Sequence, residues 1–170
     1  MNIIIREATP DDAEKFVAFM QQVTEEQGIN IPIMPGEYKT TVEDQRKILG
    51  EFAASDNSVF LLAEDNGHII GYIDCKGFKR QVLKHAVLIG VSVHKDWRGK
   101  GVGSILMERA IAWAKGTNIV KRMELSVYER NAPARHLYEK FGFQIEGTRK
   151  KFIYENGKYL DDVMMALLLS

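Results

Sequence analysis

Arg98-Gly99-Lys100-Gly101-Val102-Gly103-Ser104 lies between an apolar, strand-like run and an amphipathic, helical one, and its chemistry is that of an anion cradle. A helix N-terminus offers unpaired N–H groups and a partial positive charge. Glycines let a phosphate approach that backbone closely, and Arg98 and Lys100 add cations beside it. Two phosphate motifs are excluded by spacing. A P-loop needs Ser or Thr directly after Gly-Lys, but Lys100 is followed by Gly101. A dinucleotide fingerprint needs a third glycine in GxGxxG, and the residue there is Ser104 counted from Gly99, or Leu106 counted from Gly101. What remains is Arg-x-x-Gly-x-Gly on Arg98, Gly101 and Gly103, which suits a pyrophosphate or an ordinary glycine-rich turn.

A second constellation follows the next strand-like run: Asn131-Ala-Pro-Ala-Arg-His-Leu-Tyr138-Glu-Lys-Phe141-Gly142-Phe143. Tyr138 comes two helical turns after Asn131, so both can face one cleft, although Asn131 also reads as a helix cap and Tyr138 as a core aromatic. Cys75 is the sole cysteine, which excludes an intrachain disulfide and a CxxC site; its apolar setting reads as a structural thiol. His85, His94 and His136 have no ligand-like spacing, so no metal is expected.

These residues need elements to position them. Asn2–Ile5 reads as a short strand. Thr9-Pro10-Asp11-Asp12 opens a helix with an apolar face of Ala13, Phe16, Val17 and Met20, ended by Gly28. Ile29–Thr40 carries too many apolar residues for a disordered linker and reads as an ordered, irregular loop. Thr41 with Asp44 caps a second helix over Val42–Ala54. Ser58–Glu64 and His68–Asp74 flank Asn66-Gly67, a hairpin signal, and Val87–His94 is a third strand of that run. A helix follows from Val102, then a strand over Arg122–Val127, a short helix over Ala132–Phe141, and two strands flanking Asn156-Gly157. The order β-α-α-β-β-β-α-β-α-β-β predicts an α/β chain with a mixed sheet and helices packed on it.

With 170 residues, 45% of them hydrophobic and 27% charged, the chain fits one globular domain spanning 1–170. Lys plus Arg equals Asp plus Glu at 23 each, so no net charge favours nucleic acid or an anionic membrane. No signal-peptide pattern or membrane-spanning apolar run is read, which makes the cytoplasm the expected compartment.

The combination of an apolar strand, Arg98-x-x-Gly101-x-Gly103 opening a helix, a further strand leading to Asn131, and Leu137-Tyr138 before Gly142-Phe143 resembles the GNAT superfamily of N-acetyltransferases. The likeness runs along essentially the whole chain and is strongest over Leu88–Phe143. It implies a central mixed sheet of about seven strands flanked by helices, with acetyl-CoA as co-substrate and a primary amine as acceptor. The strands Leu88–His94 and Arg122–Val127 would splay, with main-chain groups of Val91 and Val93 holding the pantetheine arm. The pyrophosphate would rest on the amides of Gly99, Lys100, Gly101, Val102, Gly103 and Ser104, beside Arg98. Asn131 would bond the cofactor or the substrate amide, and Tyr138 would act as general acid toward the departing thiolate. A phenol stays protonated near neutral pH and can make that donation.

Proton removal from the amine is less defined by the resemblance. Leu88–His94 has no carboxylate, and Ser126 stands where some members carry a glutamate. Glu124, on the same strand face, is the available substitute, with Glu129, Asp74, His85, His94 or a water chain behind it. The implied activity is direct acetyl transfer in a ternary complex onto a small amine, an amino acid or a protein N-terminus, by a monomer or homodimer. A sensor that binds acetyl-CoA without turnover is the alternative on the same fold.

Overall fold

Two Asn-Gly turns set the register of the hairpin strands. Asn66 and Gly67 both have positive φ (50° and 79°), as do Asn156 and Gly157 (51° and 76°), the geometry of tight hairpin turns that match strand twist. In the computed structural model, which describes residues 1–170, the strands are β1 (Ile3–Glu7), β2 (Val59–Asp65), β3 (His68–Gly77), β4 (Ala86–Val93), β5 (Arg122–Tyr128), β6 (Gln144–Glu155) and β7 (Lys158–Leu168). The helices are α1 (Ala13–Thr24), α2 (Val42–Ala53), α3 (Val102–Gly116) and α4 (Ala132–Lys140). The expected element order and mixed sheet are both present. Helix α1 stops at Thr24 rather than at Gly28, as the Glu26 amide turns to the Val23 carbonyl at 3.2 Å, an i−3 bond that closes the last turn. Thr41 caps α2 as expected, accepting from the Asp44 amide at 3.0 Å.

The seven strands form one sheet in the order β1-β2-β3-β4-β5-β7-β6, antiparallel throughout except for the parallel pair β4–β5. On one face Val87, Ile89, Met123, Leu125 and Val127 pack with Val102, Leu106, Met107 and Ala110 of α3 and with Tyr138 of α4. On the other face Phe60 and Leu62 meet Phe16, Phe19, Val23, Leu49 and Phe52 of α1 and α2, with Tyr72 against them. The loop between α1 and α2 is ordered onto this second face: Ile29 is buried, and Ile31 and Tyr38 pack beside it. Burying apolar side chains on both faces fixes β3 and β4 at the centre of the molecule, where the site is built. No helix is long and apolar enough to cross a membrane.

Candidate active site

The parallel ladder between β4 and β5 is short. Ala86, Val87 and Leu88 pair with Arg122, Met123 and Glu124, and beyond Leu88–Glu124 the strands part. The His94 amide donates to Ile70, and the Ala86 carbonyl accepts from Phe78, so even-numbered residues of β4 bond β3. Odd-numbered Ile89, Val91 and Val93 therefore aim their main-chain groups toward β5. At the two ends of β5, Lys121 accepts from the Leu169 amide and the Glu129 amide donates to Asp161, both on the β7 side, so Ser126 and Tyr128 aim their main-chain groups back toward β4. A wedge results in the middle of the sheet, with unpaired backbone groups along both walls. Such edges need a partner, and an extended ligand provides one. Val91 and Val93 are on this wall as expected, although the Val93 carbonyl already accepts from Arg98 Nε at 2.9 Å.

The glycine turn stands at the mouth of the wedge. Gly99 and Gly101 have φ of 72° and 85°, and Gly101 is the N-cap of α3. No side chain caps this helix, and its first backbone bond runs from the Ile105 amide to the Gly101 carbonyl. The amides of Val102, Gly103 and Ser104 are thus free to receive an anion. Val102 offers only its amide, since its side chain is buried in the core. Gly103 has a different role from the other two glycines: a Cβ there would meet Leu137 Cδ2 at 3.3 Å. It allows α3 to lie close to α4. Lys100 Nζ is 5.2 Å from the centre of the Trp97 ring. Arg98 is engaged rather than free, donating to Glu26 Oε2 at 2.6 Å as well as to Val93. It braces the turn against the end of α1, a contact across 72 residues of sequence.

Tyr138, on α4, belongs to the core that also holds α3 and is 6% exposed, with its ring 6.0 Å from that of Phe143. Burial alone pushes its phenol up to about 12, so it holds its proton throughout the physiological range. Asn131 Oδ1 caps α4 by accepting from the Ala134 amide at 3.3 Å, which leaves its Nδ2 as the group able to reach a ligand. Glu124 stands at the closed end of the wedge. Its Oε2 accepts from Arg122 Nε at 2.8 Å, and Arg122 also holds Glu146. Cys75 is fully buried and its thiol is pushed up by burial, so it is no nucleophile.

The sheet face carrying α1 and α2 also bears their connecting loop. A cleft of about 280 Å³ opens there between Pro32, Ile33, Met34 and Glu37 of the loop and Phe152–Glu155 of β6, with Tyr128 at its base. The loop and the β6–β7 hairpin thus line one cavity. The Tyr128 hydroxyl is buried without a hydrogen-bond partner. Beside it Arg130 is paired with Glu155 at 2.7 Å, and Arg149 reaches from β6 to Asp162 and to Ser126 Oγ. Tyr128, Arg149 and Glu26 carry no local sequence signal, because each is defined by partners brought together only by the sheet.

A model of the acetyltransferase (GNAT) family matches residues 26–143. The chain belongs to that family. The L-amino acid N-acetyltransferase AaaT of Escherichia coli is 38% identical over 106 residues, covering 62% of this chain and 65% of that protein. The chain spans just under two thirds of the length of the first curated relatives it matches. Among solved structures, a GNAT-family acetyltransferase from Streptococcus pneumoniae is 36% identical, with a TM-score of 0.95 over 99% of this chain and all of that one. YncA of Salmonella typhimurium, solved with its cofactor acetyl-CoA, has a TM-score of 0.86 at 21% identity, covering 100% of this chain and 95% of that one; at that identity it attests the GNAT fold alone. The wedge and the glycine turn both lie within the region matched by the family model.

Proposed function

We propose that this protein is a single-domain, acetyl-CoA-dependent N-acetyltransferase acting on the α-amino group of an amino acid or of a short peptide. The observation that carries the reading is the parting of β4 and β5 beyond Leu88–Glu124, beside the uncapped start of α3. Acetyl-CoA brings an activated acetyl group as a thioester. The chain's own groups fit its parts: free amides of Val102, Gly103 and Ser104 for the pyrophosphate, and wedge-facing groups of Ile89, Val91 and the Val93 amide for the extended arm. A main-chain amide on the β4 wall would polarise the thioester carbonyl, and positioning in the wedge would supply much of the rest. Tyr138, protonated and without a charged neighbour, would give its proton to the departing sulfur.

Transfer would be direct, because the one thiol in the chain is buried and the Ser126 hydroxyl is held by Arg149 rather than by a base. The acceptor reading is supported by the name of the Escherichia coli relative and by the cleft itself, where the Glu37 carboxylate suits a cationic amine. The 280 Å³ volume suits one or two residues rather than a folded protein surface. Thiol release from acetyl-CoA, followed across free amino acids, dipeptides and polyamines, tests the reading. Turnover confined to α-amino compounds is the expected result; thiol release with none of these amines would overturn it.

A further inference from the structure

We infer that Asp74 is the proton acceptor for the incoming amine, reaching the wedge through the gap that Gly90 leaves in β4. The inference rests on the acetyltransferase reading above and adds the missing base to it. Asp74 is paired with Gly90 on β4 and with Phe60 on β2. Phe60 is bulky and buried, so the carboxylate cannot lean that way. On the other side a Cβ at position 90 would lie 2.5 Å from Asp74 Oδ1. The carboxylate therefore occupies the space where any side chain of residue 90 would begin. It lies over the backbone of β4, one strand spacing of about 4.8 Å from its own. Beyond that backbone is the wall from which Ile89 and Val91 face the wedge.

The surroundings of Asp74 set it apart from the other half-buried carboxylates. Glu26, Glu64, Glu124, Glu155 and Asp162 each hold an arginine. Asp74 has no ion pair. Its charged or titratable neighbours are Lys76 and Tyr72 on its own strand, Cys75 on the opposite face, and Tyr38 from the loop beside Tyr72. The partners across from it on β2 and β4 carry no charge. Burial pushes its carboxyl up to about 7, so near neutral pH it both ionises and accepts a proton. Glu124 is tied to Arg122 at the closed end of the wedge.

The proton inventory closes. Asp74 takes one proton from the alkylammonium and later releases it to solvent. The free amine forms its N–C bond to the acetyl carbonyl carbon as the C–S bond breaks. Tyr138 gives its proton to sulfur and recovers one from the nitrogen that has attacked. The products are the amide, the free thiol and one proton in water.

Asp74→Asn keeps the shape and removes the base. The expected result is a fall in kcat of roughly 10²- to 10³-fold, acetyl-CoA affinity by calorimetry unchanged within twofold, and loss of the acidic limb of the rate profile. Gly90→Ala tests the same point with Asp74 in place, since its Cβ displaces the carboxylate; turnover should fall while acetyl-CoA still binds. Carbon-13 NMR of labelled aspartate reads the titration without substrate, and one carboxyl should titrate near 7 and vanish in Asp74→Asn. Full turnover in Asp74→Asn, or an Asp74 midpoint near 4, overturns the inference while leaving the acetyltransferase reading intact. Wild-type protein that acetylates no amine overturns that reading instead, and the assignment with it.

Discussion

Replacing Gly101 by alanine separates backbone conformation from steric access at the phosphate turn. Gly101 has φ of 85° and ψ of 0°, and a Cβ built there meets nothing within 4 Å. No clash is therefore created; the whole cost is that of holding an L-residue in the left-handed region, about 1–2 kcal/mol. Two limits bound the outcome. If the turn is kept, stability falls by that amount, and Tm drops by roughly 2–8 °C for a chain of this size. If the turn relaxes, acetyl-CoA must restore it, and Kd weakens by about five- to thirtyfold. The two losses together should come to about 1–2 kcal/mol. Asparagine tolerates this conformation better, so Gly101→Asn should recover part of whichever loss alanine shows. Thermal unfolding and calorimetric titration on the same preparations read both quantities. A loss in Kd beyond 100-fold, or asparagine behaving no better than alanine, would refute the conformational reasoning and point to a Cβ colliding with bound phosphate.

Tyr138→Phe should lower kcat by roughly 10²- to 10⁴-fold with acetyl-CoA affinity retained, measured under conditions where chemistry limits the rate. Glu124→Gln should cost no more than about tenfold in kcat/KM, because Arg122 keeps Glu146 and the closed end of the wedge stays braced; a loss near 10³-fold would make Glu124 the base. Asp74 also predicts a pH effect on stability. Its folded carboxyl titrates near 7 against about 4 unfolded, so between those values the folded state binds more protons and stability falls as pH rises. Asp74→Asn should flatten that fall in urea titrations at pH 5 and pH 8, and be more stable than wild type at the higher value.

The element order and both Asn-Gly hairpins are legible in the sequence because each depends on local chemistry: alternation along a strand, a cap, a turn that needs positive φ. The glycine turn is equally legible, yet its three glycines look alike in sequence and act differently in space. Gly99 and Gly101 supply backbone conformation, while Gly103 supplies room for Leu137. Asp74 could be named only as one acid among several, since its distinction is the bare Gly90 beside it, a neighbour set by strand pairing. Arg98 reads as a phosphate ligand from its motif, but Glu26 claims its guanidinium from the far end of α1. The resemblance carries the identity of the cleft; pairwise contacts between distant segments decide which groups in it are free.

The parted strands have a consequence for how the protein breathes. Central strands ordinarily hold the slowest-exchanging amides of a sheet. Here the amides of Val91, Ser126 and Tyr128 sit in the middle of the molecule without a backbone partner, so deuterium should reach them as quickly as it reaches a loop. Only the pairs from Ala86–Arg122 to Leu88–Glu124 join β1–β4 to β5–β7 by a ladder. The two halves of the sheet are hinged at that seam, and an extended ligand that bonds to both walls acts as the missing stitches. Protection should then spread outward from the wedge into β3 and β7, making the sheet continuous only when it is at work.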